Sequence, residues 1–271
     1  MPELPEVETI KNELATHVIG HIITGVTLFW DRMLRQPSPK QFYHCISGKK
    51  ITELTRRGKY LIFRLDSGNS LVIHLKMSGS LILDTDMPPE YTRAVIHLDN
   101  GVNIFFCDPR KFGRISLVTD VGNITEKLGP EPLEANFTVE MLAEKLEKRK
   151  APLKAVLLNQ ALIAGIGNMY ADEALFAARI NPLRPAYSLS QDEIKHLHYA
   201  IRKVLKDAIK SKGASVSTYF RPGGEMGSAH SHFKVAHQKG KLCSICSNPI
   251  ERIPIRQRGS YYCPVCQPGK D

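Results

Sequence analysis

The second residue of the chain is a proline set among carboxylates, Met1-Pro-Glu-Leu-Pro-Glu-Val-Glu8. A small second residue permits removal of the initiator methionine, which leaves Pro2 as a secondary amine able to attack an aldehyde-level carbon. The iminium so formed has no N–H proton to lose, stays cationic, and draws electrons from the neighbouring carbon. Attack requires the deprotonated amine, and a positive helix end with basic neighbours lowers its pKa toward neutrality. Glu3, next in sequence, can shuttle a proton. The plainer reading of the same stretch is a helix start, in which Pro and Glu only open the first turn.

A second chemical signal lies at the other end. Cys243-Ser-Ile-Cys246 and Cys263-Pro-Val-Cys266 are two Cys-x-x-Cys pairs separated by sixteen residues. Four thiolates at this spacing suit one tetrahedral Zn2+ held by two knuckles at the base of a β-hairpin, with an iron–sulfur cluster or a redox disulfide pair as alternatives. Four protein ligands leave no open position, so the ion is expected to be structural. Four of the six cysteines fall in these two pairs while Cys45 and Cys107 stand alone, a distribution that is metal-site usage rather than a disulfide framework. Between the knuckles, Ile255-Arg-Gln-Arg-Gly-Ser260 offers Arg256 and Arg258 to a phosphate, and residues 225–271 carry seven Lys or Arg against three acids. A solvated basic surface is the competing reading.

The octapeptide Ile163-Ala-Gly-Ile-Gly-Asn-Met-Tyr170 sets two glycines before an amide. Such a turn lets backbone N–H groups approach a phosphate at a helix start, or simply packs two helices closely.

These groups need elements to hold them. Val7, Ile10 and Leu14 recur at helical spacing, with Pro5 suited to a first turn and Glu3, Glu6 and Glu8 at the positive end. From about residue 20 to 120 the pattern is strand-like, with runs at 60–65, 70–75, 93–98 and 102–106 separated by the turn signals Asp66-Ser-Gly-Asn69 and Asp99-Asn-Gly101. An antiparallel sandwich or barrel with the amino-terminal helix packed on it is expected. Punctuation around Leu128-Gly-Pro-Glu-Pro132 marks a boundary, after which helical periodicity takes over. Helices are expected over 138–149 and 153–160, and a third opens on the capping box Ser190-Gln-Asp-Glu193. Residues 211–232, rich in Ser, Gly, His and Pro, read as a loop that is either mobile over a site or disordered. The expected division is 1–130 for the catalytic β-domain, 131–224 for the helical domain and 225–271 for the zinc hairpin.

At 271 residues the chain is long enough for two compact domains, and 37 Lys plus Arg against 27 acids give a net charge of +10 and a pI near 9.3. That balance favours a polyanionic partner, nucleic acid or an anionic membrane. No apolar run approaches the roughly 18 residues of a membrane span, and the amino end is acidic rather than signal-like, so a soluble, unexported protein is expected.

Together, Pro2-Glu-Leu-Pro-Glu-Val-Glu8, Gly165-Ile-Gly-Asn168 and the four-cysteine hairpin with Gln257-Arg-Gly259 closely resemble bacterial formamidopyrimidine-DNA glycosylase. Arg57-Gly-Lys-Tyr60, His74-Leu-Lys-Met-Ser-Gly79 and Asp108-Pro-Arg-Lys-Phe-Gly113 add to the match, which runs over essentially the whole chain. The resemblance implies an α+β protein of two domains: a β-sandwich with an amino-terminal helix, then a helical domain with a helix-two-turn-helix and a zinc-finger hairpin, with DNA in the cleft between. It implies a base-excision repair enzyme that removes 8-oxoguanine and formamidopyrimidines from double-stranded DNA and cuts the abasic strand by β- and δ-elimination. By the motif match, Pro2 attacks the deoxyribose C1′ of the flipped nucleotide, Glu3 assists ring opening and proton transfer, Lys59 stabilises charge or holds a phosphate, and Glu6 shapes the base pocket.

Base extrusion leaves a hole, and Met77, Arg110 and Phe112 match the family's filling trio. On residue type alone, Met77 and Phe112 read as core. His74, Asn168 and Arg258, with Lys59, match positions that hold the flanking phosphates. The resemblance further implies one structural Zn2+ on Cys243, Cys246, Cys263 and Cys266, a monomer, and a bacterial cytoplasmic, nucleoid-associated location. Two stretches depart from the family pattern. Ser217 stands where a basic residue is usual, bearing on base preference, and Val235-Ala-His-Gln-Lys239 replaces the usual Val-Tyr-Gly-Arg, bearing on one phosphate contact. The sister enzyme endonuclease VIII, which prefers oxidised pyrimidines, typically begins Pro-Glu-Gly-Pro; here Leu4 precedes Pro5, and the trio favours the purine enzyme. A zinc protein that binds damaged DNA or RNA without catalysis fits Arg258 and the charge but does not require Pro2 and Glu3.

Overall fold

The computed structural model describes residues 1–83 and 87–269. Contacts divide the chain into two compact units, Met1–Glu126 with Ser211–His230, and Lys127–Lys210 with Ser231–Asp271.

The first unit opens with α1 (Leu4–Val18), followed by β1 (Ile22–Leu28), α2 (Pro39–Ile46), β2 (Lys49–Arg57), β3 (Tyr60–Leu65), β4 (Ser70–His74), β5 (Ser80–Leu83), β6 (Thr92–Leu98), β7 (Asn103–Cys107), β8 (Arg114–Val118) and the short α3 (Gly122–Thr125). The strands pair antiparallel in the order β5-β7-β6-β1-β2-β3-β4-β8. Ile23, Ile96 and Ile104 from one half and Phe63, Leu71 and Ile73 from the other share one core, which Val7, Ile10 and Leu14 of α1 complete. That shared core is what makes a sandwich of a continuous sheet. The turns foreseen at 66–69 and 99–101 join β3 to β4 and β6 to β7. The helix α2 was not foreseen within the strand-like stretch; its Phe42 and Ile46, one turn apart, are its only buried residues.

In the second unit are α4 (Val139–Glu147), α5 (Leu153–Leu157), α6 (Asn168–Ala177), α7 (Gln191–Lys210) and the hairpin β9 (Glu251–Ile255) with β10 (Arg258–Tyr262). The expected capping box opens α7: Ser190 N–H donates to Glu193 Oε2 at 2.8 Å, and Glu193 N–H donates to Ser190 Oγ at 3.3 Å. Buried Ile194, Leu197, Ile201 and Leu205 form the inward stripe of α7. The expected helix 153–160 stops at Leu157, because Gln160 turns its side chain back onto the Gly165 N–H and the Ile166 carbonyl. Residues 211–230 belong with neither the helices nor the hairpin; they follow an irregular, hydrogen-bonded course within the first unit.

Candidate nucleic-acid interface and metal centre

Pro2 is buried immediately before α1, and Glu3 caps that helix in extended backbone. The Glu3 N–H donates to Glu6 Oε2 at 2.7 Å, and the second Glu6 oxygen accepts the Ala214 N–H at 2.8 Å. Glu6 is thus fully buried with both oxygens engaged, which satisfies a carboxylate that burial alone would penalise. Gly213 makes this approach possible: its φ is +77°, and a Cβ there would come within 3.0 Å of the Glu6 side chain. Two turns further along α1, Arg221 grips Glu13 through Nε and Nη2 at 2.7–3.1 Å. Tyr219 is buried between these anchors, its OH donating to the Lys212 carbonyl at 3.1 Å. Burial, then the charges of Glu6 and Glu13, push its phenol upward, so it acts as a neutral donor. Ser217 is exposed.

Lys59 follows Gly58 (φ +57°) in the two-residue turn between β2 and β3, and is buried. Arg56 ties that turn to α1: its Nε donates to Glu8 Oε2 at 2.7 Å and its Nη1 to the Gly58 carbonyl at 2.9 Å. Strand register then sets His74 opposite Tyr60. Burial, with the positive charges of Lys76 and Lys59, lowers the His74 pKa to about 3. The ring is therefore neutral. Because Nδ1 accepts the Lys76 N–H at 2.9 Å, the ring proton resides on Nε2, a fixed uncharged donor. The Tyr60 ring meets it edge-on, centroids 4.6 Å apart.

Met77 and the pair Arg110 and Phe112 stand on two loops that one buried carboxylate joins. Asp108 accepts Ser78 Oγ–H at 2.5 Å, the Gly113 N–H at 2.7 Å and the Arg110 N–H at 3.2 Å. Both loops close on Phe106, where a Cβ on Gly79 or Gly113 would stand 2.8 Å or 2.4 Å from the ring. Arg110 Nη1 then lies 3.5 Å from Met77 Sδ, with its guanidinium carbon 4.7 Å from the Phe112 ring centre. Met77 and Phe112 are 39% and 41% exposed. Residue type assigned them to the core; the structure presents them to solvent, bracketing a cation.

In the second unit, Gly167 caps α6 and Gly165 takes φ +85°, so the glycines supply both a tight turn and an open helix start. Asn168 Nδ2 donates to the Gly259 carbonyl at 3.0 Å, and Lys154 Nζ donates to the same oxygen at 3.1 Å. Lys154 is fully buried and pairs with buried Asp172 at 2.7 Å; Asp172 Oδ2 accepts the Tyr261 N–H at 3.1 Å. Burial raises Asp172 to about 7 despite that cation. Buried Glu173, next along, accepts the N–H groups of Lys234, Val235 and Ala236 at 2.8–3.0 Å, anchoring the stretch that departs from the family pattern. The hairpin is thereby fastened to α5 and α6 directly beside Arg258, which is exposed at the start of β10. Its turn residues Arg256 and Gln257 both have positive φ, 44° and 63°, as a type I′ turn demands and as non-glycine residues resist.

The four cysteines converge as their spacing suggests. Their Sγ atoms all lie within 4.8 Å of one another, with Cys243–Cys266 at 3.8 Å and Cys246–Cys263 at 3.4 Å. A zinc ion about 2.3 Å from each of four tetrahedral sulfurs requires S···S edges of about 3.8 Å. The residues fit the ion without rearrangement of the chain. Backbone N–H groups of Ile245 and Cys266 point at Cys243 and Cys263 sulfurs at 3.5 and 3.4 Å, the outer-sphere donors that stabilise thiolates.

Sequence reading did not single out Asp108, Lys154, Asp172 or Glu173. Asp108 left a weak trace, an Asx-turn residue before Pro-Arg with Gly following. Lys154 left another, a lone cation in the apolar run Leu153-Lys-Ala-Val-Leu157. Asp172 and Glu173 resemble ordinary helix surface.

Comparison with known proteins gives a consistent picture. Residues 1–115 match the family model for the formamidopyrimidine-DNA glycosylase N-terminal domain, 128–220 that for the formamidopyrimidine-DNA glycosylase H2TH domain, and 240–269 that for a zinc finger found in FPG and IleRS. Formamidopyrimidine-DNA glycosylases of Chloroflexus aurantiacus and Roseiflexus sp. are 46% and 44% identical, over 98% of this chain and 98% and 100% of theirs. The crystal structure of MutM (Fpg) from Thermus thermophilus superposes with a TM-score of 0.91 at 38% identity, covering 100% of both chains. Lactococcus lactis Fpg in complex with abasic-site DNA gives 0.92 at 35% identity, covering 98% of this chain and 100% of that one.

Proposed function

The chain belongs to the formamidopyrimidine-DNA glycosylase family, and from that premise we propose that it excises oxidised purines from duplex DNA and then cuts the strand as an abasic-site lyase, with Pro2 as nucleophile. Relatives from Lactococcus lactis have been crystallised with Fapy-dG and abasic-site DNA, which supports the substrate class. The observation that carries the reading is the construction of the α1 terminus. Pro2 is set at the positive end of a helix, with Glu3 beside it, in a frame whose other carboxylate, Glu6, is already spent on two backbone N–H groups.

Once Met1 is removed, the Pro2 nitrogen attacks C1′ of an extruded nucleotide and the damaged base departs. Glu3 protonates the ring oxygen as the sugar opens, and the resulting iminium acidifies the C2′ proton. Loss of that proton expels the 3′ phosphate by β-elimination, and a second elimination releases the 5′ phosphate. Buried Lys59 stabilises negative charge at the reacting sugar or on its phosphate. His74 Nε2–H, Asn168 and Arg258 hold flanking phosphates, and Met77, Arg110 and Phe112 fill the vacated stack, Arg110 facing the orphaned cytosine.

Sodium borohydride reduces an iminium to a stable amine. Incubated with it, an 8-oxoguanine duplex is expected to become covalently linked to residue 2, and Pro2→Gly to retain trapping at a reduced rate. An active preparation whose intact mass retains Met1 overturns the mechanism, because the Pro2 nitrogen is then an amide.

A further inference from the structure

Tyr60, His74 and Arg114 stand side by side across β3, β4 and β8. They face outward from the sandwich into a cavity of about 590 Å³, a size usual for small-molecule sites, whose rim is Met77 and Phe112. Arg35 enters from outside these strands, pinned beside β8 by its N–H to the Ile115 carbonyl at 2.8 Å. Lys76 enters from the loop after β4, where it holds a left-handed φ of 55° that costs a non-glycine residue energy.

Three cations thus line one cavity whose lining includes no carboxylate. Among the described residues none of the three forms an ion pair. The acid nearest in influence, Asp108, already holds Ser78 and two backbone N–H groups. Arg114 Nη1 is spent on the Lys111 and Gly113 carbonyls, while its Nε is buried without a partner. Burial and mutual repulsion lower both Lys76 and Arg114, the signature of like charges confined together without a counterion. Such an arrangement costs stability unless an anion relieves it, and the aromatic edges beside it suit what a phosphate carries.

We propose that this cavity is a phosphate-ester site: Arg35, Lys76 and Arg114 hold the phosphate, His74 Nε2–H donates at the rim, and Tyr60 and Phe112 flank the attached sugar or base. Two sources share that chemistry, the backbone of a DNA strand running past Phe112 and a free nucleotide. The strand source rests on the function proposed above; the free nucleotide does not.

The test uses the full chain, a double variant Arg35→Gln/Arg114→Gln, and the charge-retaining Arg35→Lys/Arg114→Lys. If the strand occupies the site, the slope of log K against log salt for a lesion duplex becomes shallower by about one unit in the Gln pair and returns in the Lys pair. One methylphosphonate at a flanking position then flattens the wild-type slope by the same amount and leaves the Gln pair unaffected. If a free nucleotide occupies it, calorimetry finds 5′-dGMP bound to the wild type and at least tenfold weaker in the Gln pair, with deoxyguanosine bound by neither. An unchanged slope together with unchanged dGMP binding overturns the proposal. So does a loss that the Lys pair fails to restore, since the arginines then act through the fold.

Discussion

Both units bury charge, and they use it differently. In the first, a large apolar core carries the fold, and buried Glu3, Glu6 and Lys59 gather where α1 begins and where β2 turns into β3, while buried Asp108 joins the loops of Met77 and Arg110. In the second, Lys154, Asp172 and Glu173 are just as buried, yet each is spent on backbone groups of the zinc hairpin or of the stretch leading into it. A buried charge is a standard pointer to a functional site. Under the function proposed above, the pointer serves one unit and misleads in the other, because a small hairpin with few apolar residues must be fastened by polar means. Its own cluster comprises Phe176, Val235, Cys243, Ile250 and Cys263 with the remaining knuckle sulfurs packed against it.

That contrast is sharpest under removal of a metal ligand. Cys243→Ser is expected to abolish zinc binding and, with it, amide protection in β9 and β10, since structural zinc contributes on the order of 10 kcal/mol to such modules. The sandwich should keep its protection, because its core contains no sulfur ligand. Metal analysis with hydrogen exchange checks both halves, and a hairpin still protected without zinc would show that Lys154, Asp172 and Glu173 suffice.

Next in size is the buried pair. Lys154→Met strands Asp172 in an apolar setting and should cost about 3–5 kcal/mol, read as a shift in denaturant midpoint. Adding Asp172→Leu should recover part of that loss. It cannot recover all of it, because the Tyr261 N–H loses its partner and the Gly259 carbonyl keeps only the Asn168 donor. Full recovery would mean the pair contributes nothing to seating the hairpin.

How much of this was legible beforehand follows from the range of each interaction. The zinc knuckles, the Ser190 capping box and the turns at 66–69 and 99–101 are local devices, and spacing alone exposes them. The trio at 77, 110 and 112 is not local. Nothing in the order of residues says that Ser78 and Gly113 meet on one Asp108 carboxylate, so Met77 and Phe112 read as core until the family resemblance placed them elsewhere. For α2 the obstacle is length, since two turns hold too few apolar positions to establish a period. The stretch 211–232 shows the same limit: its low periodicity suggested a loop either mobile over a site or disordered, whereas Glu6, Glu13 and Tyr219 fasten residues 211–230 to the first unit through contacts some two hundred residues apart in sequence.

The smallest effect tests whether the first unit's charge arrangement reaches its binding groups. His74 titrates near 6.5 when unfolded and at about 3 in the native state, owing to burial and the cations Lys76 and Lys59, with Arg114 opposite it on β8. Between those values the unfolded chain takes up a proton that the folded one refuses, so native stability falls as pH drops from about 6.5 toward 3 and is unaffected by this group above that window. His74→Gln keeps an uncharged donor and removes the titration. Wild type should therefore lose up to about 1.4 kcal/mol more than the variant per pH unit of acidification within the window, while the two stability curves run parallel above pH 7. Urea unfolding at stepped pH measures this directly. Curves parallel throughout would mean that His74 protonates as an exposed ring does, and the donor assigned to it would be an imidazolium below about pH 6.5 rather than uncharged across the window.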